Sequence, residues 1–185
     1  MPTPSRTSRE DIVAAGRALV EAGGLDALTM QRVAATVGVR PPSLYKHVPS
    51  RGALVKLIVE DVVDDLAAAL DGRGRAPTPE DDLRAVASAF RLFAKQHPGT
   101  YRLIFAPLPE EWRADPVHLM AASRAVLTIA AALAGQDRSL EAARTITAWA
   151  HGFVAMELAD AFRMGGDVDQ AFEFGIDHLA GAFSS

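Results

Sequence analysis

The chemically suggestive side chains of this 185-residue sequence are cations and hydroxyls gathered near its start. Residues 1–56 carry eight Lys and Arg against four acidic residues, a net charge of +4, whereas the remainder carries 11 against 19, a net charge of −8. A basic segment on an acidic body is typical of a nucleic-acid-binding module joined to a second part. Chance scatter of surface charge would give the same asymmetry, so the motifs must decide.

The histidines do not form a catalytic motif. The sequence has no His-Glu-x-x-His, no Gly-x-Ser-x-Gly and no Gly-rich phosphate loop. The side chains of the neighbouring pair Asp177-His178 would point apart on a helix. Because the chain has no cysteine, it can have neither a disulfide framework nor a thiolate metal site. We therefore predict a protein that is not an enzyme and that needs no metal or cofactor.

Residues 29–48 have the spacing of two short helices joined at Gly38. A steep crossing of such helices needs small apolar residues between them, and the segment supplies Val33, Ala34, Val37, Val39 and Leu44. This is helix-turn-helix spacing, in which the second helix presents its polar face to the major groove of DNA. A generic helical hairpin would show the same apolar spacing.

Caps and glycines mark the helices that must position this motif. Ser8 with Asp11 forms a capping box, Thr29 caps the next helix, and Ser50 opens a long one that runs to Leu70 and stops at Gly72 and Gly74. A Gly/Pro-rich stretch at residues 71–79 is the best boundary candidate. Later helices are predicted to begin at Thr78, Thr100, Asp115, Ser139 and Asp167, with the eighth running to Met164.

About nine helices and no strand predict an all-α fold. We expect a three-helix DNA-binding domain at residues 1–56 and a helical ligand-binding and dimerisation domain at residues 57–185. The longest apolar stretch, Ala125–Gly135, has 11 residues, which is too short to cross a bilayer and favours a buried helix. The start of the chain lacks the apolar region of a secretory signal. These features predict a cytoplasmic protein without a membrane partner.

The string Leu-Tyr-x-His-Val-x-Ser-Arg-x-Ala-Leu at residues 44–54, preceded by Thr-x-x-x-Val-Ala-x-x-x-Gly-Val at residues 29–39, resembles the TetR family of bacterial regulators. The resemblance covers about residues 8–56. It implies a ligand-responsive DNA-binding regulator, by default a repressor, that acts as a homodimer on double-stranded operator DNA.

The resemblance also implies roles for single residues. Tyr45 would hydrogen-bond a phosphate, with Lys46 and His47 flanking the same backbone. Thr29, Ser50 and Arg51 would contact further phosphates. Thr29 and Ser50 could instead act as plain helix caps, and His47 could pack beneath the fourth helix.

The sequence departs from the family at Arg40-Pro41-Pro42, because a small hydroxyl residue is common at position 40. A proline disfavours the α conformation in the residue before it, so Arg40 and Pro41 should be extended and Pro42 should begin the helix. Arg40 could bind guanine O6 and N7 or simply a phosphate, and Ser43 or a proline ring could touch a thymine methyl. A helical interaction or ligand-binding protein without sequence-specific DNA binding is the alternative that this departure leaves open.

The second half carries the resemblance more loosely. Ala-Trp-Ala-His-Gly-Phe at residues 148–153 is similar to the Trp-His-Gly (WHG) type of TetR effector domain. Aromatic and partly polar residues around a Pro-broken stretch predict a pocket for a small hydrophobic or amphipathic molecule, although plain core packing would use the same residues. The predicted ligand-binding residues are Phe90, Phe93, His97, Tyr101, Phe105, Trp112, His118, Met120, Trp149 and Phe153.

A stripe of mostly small residues on the last helix predicts a dimer interface. Ala171, Gly175, His178 and Ala182 recur at helical spacing, so two such helices per subunit could pack as a four-helix bundle. The same stripe could pack inside one subunit. In a dimer, two recognition helices would meet successive major grooves of a pseudo-palindromic operator.

Overall fold

In the computed structural model, which describes residues 7–71 and 76–183, the chain is built from α-helices and short 3₁₀ turns. The predicted all-α fold is confirmed, with nine α-helices among the described residues. The 3₁₀ turns lie at Leu25–Ala27, Glu110–Trp112 and Gln136–Arg138. The helices are α1 (Arg9–Gly23), α2 (Met30–Val37), α3 (Pro41–Leu44), α4 (Arg51–Asp71), α5 (Pro79–Gln96), α6 (Pro98–Ile104), α7 (Pro116–Ala134), α8 (Ser139–Leu158) and α9 (Val168–Phe183).

The local stop and start signals act as predicted. The backbone N–H of Ser8 donates to Asp11 Oδ2 at 2.9 Å, and the N–H of Asp11 donates to Ser8 Oγ at 3.0 Å, which completes the capping box of α1. Asp167 caps α9 by accepting from the N–H of Asp169 at 2.8 Å. The predicted boundary at residues 71–79 includes 72–75, with Gly72 and Gly74, which lie outside the described residues.

The chain divides into two compact units. The head unit comprises residues 7–64 together with His97–Leu119, and the body unit comprises the described parts of Asp65–Gln96 and residues 120–183. The head unit therefore contains α1 to α3, most of α4, all of α6 and the first turn of α7. A segment far along the sequence thus packs against α1 and α4 in the same unit as the helix-turn-helix.

Each unit has an apolar core. In the head unit, a β-carbon at Gly16 would lie 2.8 Å from Ile58 Cδ1, so the missing side chain lets α1 approach α4 closely. Leu44 and Val48 are fully buried there and anchor α3. The body core joins α5, α7, α8 and α9 through the buried residues Leu83, Ala87, Ile129, Ala130, Leu133, Ala142, Ala143, Ile146, Phe172, Ile176 and Ala180.

Two predictions about helices need correction. The apolar stretch at Ala125–Gly135 lies in a helix that is only partly buried, since Ile129, Ala130 and Leu133 alone among its described residues are buried. Helix α7 also has the length and apolar composition to span a membrane, a test that core helices pass as well. Helix α8 ends at Leu158 and not at Met164, because Asp160 takes a positive φ of 50° and the chain turns there.

Candidate DNA-binding face and effector-domain residues

Backbone hydrogen bonds around Gly38 build the helix-turn-helix hinge. Gly38 has a φ of 75°, the left-handed conformation that glycine adopts without a side-chain clash. The N–H of Val39 donates to Ala34 O at 2.9 Å and closes the end of α2. At the other end of α2, Thr29 Oγ1 accepts from the N–H of Arg32 at 3.2 Å. These bonds fix where α2 stops and where α3 can start.

Helix α3 starts one residue earlier than predicted. Arg40 is extended, with φ −82° and ψ 145°, but Pro41 already lies in the helix and is not extended. Both prolines fit because the first N–H groups of a helix have no intrahelical acceptor, so nothing is lost by their absence. The N–H of Ser43 then donates to Arg40 O at 2.9 Å and closes the first turn.

The polar face of α3 and of the turn after it is open to solvent. Tyr45 is 50 % exposed, and Lys46 and His47 are exposed beside it. Arg40, Pro42 and Ser43 are exposed as well, whereas Pro41 is half-buried. The alternative in which His47 packs beneath α4 is therefore wrong. The exposed face can reach a duplex because the apolar face of the same segment holds it in the head core.

The side chains of Ser50 and Arg51 both form intramolecular hydrogen bonds at the start of α4. Ser50 Oγ accepts from the N–H of Ala53 at 3.1 Å, which makes Ser50 a helix cap. The guanidinium of Arg51, predicted to lie on a phosphate, donates to Leu28 O and to Leu25 O, each at 2.7 Å. Arg51 thus ties α4 to the turn before α2, and its predicted phosphate contact stays a prediction.

Five of the predicted ligand-binding residues lie in the head unit. Tyr101 is 1 % exposed, its ring lies 5.4 Å from that of Phe105, and burial raises the pKa of its hydroxyl. Trp112 packs on α4, and His97 lines a surface groove of about 870 Å³ between α1 and α4. His118 Nδ1 lies 2.7 Å from Asp64 Oδ1.

The other five lie in the body unit. Phe90 and Phe93 are buried in α5, and Met120 is 65 % exposed. Trp149 stacks on Phe172 with ring centres 5.3 Å apart, and Phe153 contacts the same ring edge-on at 5.1 Å. Trp149 and Phe153 therefore pack with the body core, as the plainer interpretation of their spacing predicted.

The predicted dimer stripe is exposed at three of its four positions. Ala171, His178 and Ala182 are exposed, and His178 lies against the exposed ring of Phe174 at 3.8 Å between ring centres. Gly175 differs, because a β-carbon there would overlap the Trp149 indole. Its small size serves packing between α8 and α9 of the same chain, so its predicted interface role needs correction.

Two charged centres were not predicted from the sequence, and the first lies in the body. Arg91 donates to both oxygens of Glu157, at 2.7 and 2.6 Å, and to Asp169 at 2.6 Å. Its guanidinium also lies 4.8 Å from the Phe172 ring centre. The hydrogen bonds from Arg91 and Lys95 lower the pKa of Glu157 against the opposing effect of burial. No sequence signal joins residues 66 positions apart.

The second centre lies in the head, where Glu21 caps helix α6. Its carboxylate accepts from the N–H groups of Gly99 and Thr100, at 2.9 and 3.0 Å, and from the Thr100 hydroxyl at 2.8 Å. Burial alone would raise the pKa of Glu21, but these donors outweigh it and the pKa is lowered. Gly99 is required here, since a β-carbon would lie 2.7 Å from the Glu21 backbone.

The chain matches two family models that together cover most of it. Residues 12–58 match the model for bacterial regulatory proteins of the tetR family, and residues 83–179 match the tetracyclin repressor-like C-terminal domain. The chain is 31 % identical over 159 residues to the uncharacterized HTH-type transcriptional regulator Rv0681 of Mycobacterium tuberculosis, covering 84 % of this chain and 72 % of the relative. Other matched regulators overlap it across about half of their own length.

Solved structures share its fold. A single-residue variant of TetR from Acinetobacter baumannii AYE, in complex with minocycline, aligns with a TM-score of 0.71 at 22 % identity, over 96 % of this chain and 97 % of that one. BioQ with its double-stranded DNA operator aligns with a TM-score of 0.70 at 20 % identity, over 97 % and 99 %. At these identities the likeness concerns the fold.

Proposed function

The chain belongs to the TetR family of DNA-binding transcriptional regulators, and we propose that it is a repressor that a small hydrophobic or amphipathic molecule releases from a pseudo-palindromic operator. Membership of this family makes it a regulator and not an enzyme. The proposal assigns DNA binding to residues 1–56 and effector binding with dimerisation to residues 57–185. A cytoplasmic location follows from this role.

The observation that carries the proposal is the exposed face after α3. Tyr45 and Lys46 stand free of the core, while Leu44 and Val48 on either side of the turn are fully buried. A hydroxyl and an ammonium held side by side on a rigid turn suit two oxygens of one DNA backbone. In the proposal Tyr45, Lys46 and His47 bind phosphates, and Thr29 and Ser50 add contacts while capping their helices.

In the proposal, residues at the start of α3 contact the DNA bases. Arg40 is exposed in extended backbone at the N-cap, from which its guanidinium can reach guanine O6 and N7. Ser43 and Pro42 are exposed one turn away, where a thymine methyl would be in reach, and the half-buried Pro41 would support them. Changing Arg40 should therefore alter sequence preference, whereas changing Lys46 should weaken binding to all sequences alike.

The proposed dimer uses α8 and α9 of each copy. Ala171, His178 and Ala182 on α9 are joined by an exposed small stripe on α8 at Ala148 and Gly152. Apart from its own helix backbone and its two chain neighbours, nothing among the described residues lies within 4 Å of where a β-carbon at Gly152 would stand, so a partner helix can approach closely. Two copies would then offer two α3 helices to successive major grooves.

The effector part of the proposal rests on the body unit and on segment His97–Leu119. We assign the C-terminal domain to the WHG type, which the Trp-Ala-His-Gly string at residues 149–152 supports. The TetR variant from A. baumannii contains minocycline, so a protein of this fold can hold a small molecule. The aromatic sets around Phe90 and Tyr101 suit a hydrophobic or amphipathic ligand.

A binding assay on the chain's own upstream DNA tests the proposal. Wild-type protein should shift a labelled duplex, and the double variant Tyr45→Phe with Lys46→Ala should bind about 100-fold more weakly, because two charge-assisted contacts are lost. Exchange of the exposed Glu111 for Gln serves as a control and should change binding less than about twofold. Wild-type protein that binds upstream and unrelated duplexes equally would favour the alternative of a protein without sequence-specific DNA binding.

A further inference from the structure

Trp112, predicted to bind ligand, lies on the first turn of α4 in the head unit. Gly52 is buried beneath its indole, and a β-carbon at Gly52 would overlap the indole nitrogen. The glycine therefore provides the space in which the ring sits. This contact joins the loop between α6 and α7 to the helix that follows the recognition helix.

The ring of Trp112 also covers the guanidinium of Arg51. The Cζ atom of Arg51 lies 5.7 Å from the ring centre, within the range of a cation–π contact. The same guanidinium donates to Leu25 O and Leu28 O, each at 2.7 Å. The planar fork of arginine presents N–H groups on separate nitrogens to the two carbonyls, whereas lysine would have to reach both from one nitrogen on a flexible stem.

The two carbonyls stand directly before the helix-turn-helix. Leu28 is fully buried and precedes Thr29, the residue that caps α2. A continuous series of contacts therefore runs from Trp112 through Arg51 to Leu28, two residues before α2 begins at Met30. Exclusion of water strengthens a hydrogen bond. By covering the guanidinium, the ring therefore strengthens the two hydrogen bonds from Arg51 to the carbonyls before α2.

We infer that Trp112 is a positioning residue for DNA binding, which holds Arg51 on the carbonyls before α2 and so fixes the helix-turn-helix against α4. The inference rests on the proposed function, because it concerns how the head presents α3 to DNA. It gives the loop around Glu110–Trp112 a direct mechanical connection to the DNA-binding motif.

Three variants of the full chain test this inference, each removing a different part. Trp112→Ala removes the ring, Gly52→Ala fills the space under it, and Arg51→Lys keeps the positive charge but loses the fork. Each should weaken binding to a fluorescein-labelled upstream duplex about three- to thirtyfold, measured by anisotropy. Val117→Ala, an exposed apolar truncation in the same segment, should stay within about twofold of wild type.

The variants also separate positioning from other roles of the same residues. If Arg51 only binds phosphate, Arg51→Lys should retain most binding and Trp112→Ala should be neutral. If the ring is only part of the core, Trp112→Ala should lower the melting temperature without weakening DNA binding by the folded protein. Either outcome would overturn the inference. Trp112→Phe, which keeps an aromatic face, should recover part of the affinity.

Hydrogen exchange provides a readout that does not depend on DNA. In Trp112→Ala the amides of Arg32 and Val33, at the start of α2, should exchange several-fold faster, while amides of α8 should not change. If wild-type protein binds no DNA, the proposed function fails and the exchange data still decide whether Trp112 fixes α2. Unchanged exchange at α2 would overturn the inference whatever the DNA result.

Discussion

The charged centres at Arg51 and Glu21 in the head unit bind different groups from the centre at Arg91 in the body unit. In the head, Arg51 and Glu21 bind backbone groups, the carbonyls before α2 and the N–H groups that open α6. In the body, Arg91 binds other side chains, Glu157 and Asp169, above an aromatic ring.

The difference follows from the lengths of the segments that these charged residues fix in each unit. Backbone contacts fix the ends of short segments, and α2 and α6, with eight and seven residues, are too short to be stable alone. Side-chain pairs tie long helices together, as Arg91 joins α5 to α8 and α9. The head can then expose a polar face after α3, and the body can expose small residues on α8.

The largest expected effect concerns the exposed face of the body. Gly152→Arg should weaken the proposed dimer about 1,000-fold, roughly 4 kcal/mol, because it puts a cation from each copy into a closely packed interface. Sedimentation equilibrium measures the dissociation constant. Ala132→Arg, on an exposed position of α7, should leave it unchanged. A Gly152→Arg protein that remains a tight dimer would remove α8 from the interface.

The next effect concerns the charge centre of the body. Arg91→Leu should lower the free energy of unfolding by about 2–3 kcal/mol, since it leaves the largely buried Glu157 carboxylate without its bidentate donor. Urea denaturation at pH 7 measures the change. Arg84→Leu is the matched control, because the ion pairs of Arg84 are about half exposed and should contribute less than about 1 kcal/mol. Equal losses in both variants would break the contrast between buried and exposed pairs.

A smaller effect is expected at the backbone contact of the head. Glu21→Gln should cost about 1–2 kcal/mol at pH 7, because an amide oxygen accepts the Gly99 and Thr100 donors less strongly than a carboxylate. Since the pKa of Glu21 is lowered on folding, its contribution is present above the ordinary value near 4.5 and is lost as the pH falls through the folded value. The difference between wild type and variant should therefore shrink in acid. A difference that is independent of pH would contradict this assignment.

The smallest effect concerns His118, which joins the first turn of α7 to α4. The hydrogen bond to Asp64 raises the pKa of His118 against the opposing effect of burial, and the charges of Asp64, Glu60 and Asp115 add to the increase. The charges on the facing side of α4 also include Lys56, which lies 2.5 Å from Asp115. A raised pKa means that the stabilisation is complete below the unfolded value and is lost as the pH rises through the folded one.

His118→Asn should accordingly lower the free energy of unfolding at pH 6 by less than about 1 kcal/mol, because the pair is partly exposed. At pH 8 the variant and wild type should nearly agree. Urea denaturation at the two pH values makes the comparison. A variant that is more destabilised at pH 8 than at pH 6 would contradict the assigned direction of the pKa.

Local signals explain which parts of the structure the sequence predicts. The Ser8 box, the Thr29 cap and Gly38 act within four residues of themselves, and each was predicted correctly. The end of α8 was predicted wrongly, because the spacing of Phe162 fits a continuing helix. In the structure the chain turns at Asp160, and the Phe162 ring packs against that of Phe153, with ring centres 4.8 Å apart.

The candidate effector residues were harder to predict because their contacts are distant in sequence. Trp112 and Gly52 are 60 positions apart, and nothing in the sequence joins them. An aromatic-rich, Pro-broken segment predicts a cavity equally well whether it lines a pocket or packs against the head. In the structure the Trp112 indole lies against Gly52, and Gly175 packs against the Trp149 indole of the same chain.

The salt dependence of DNA binding tests most directly whether the turn after α3 lies on the DNA backbone. Each cation that displaces a condensed counterion contributes about one unit to the slope of log affinity against log salt. Lys46→Ala should therefore reduce the slope for the upstream duplex by about one and weaken all sequences alike, while Arg138→Ala in the body should leave the slope unchanged. A Lys46→Ala protein with the wild-type slope would contradict the claim that this exposed turn contacts DNA.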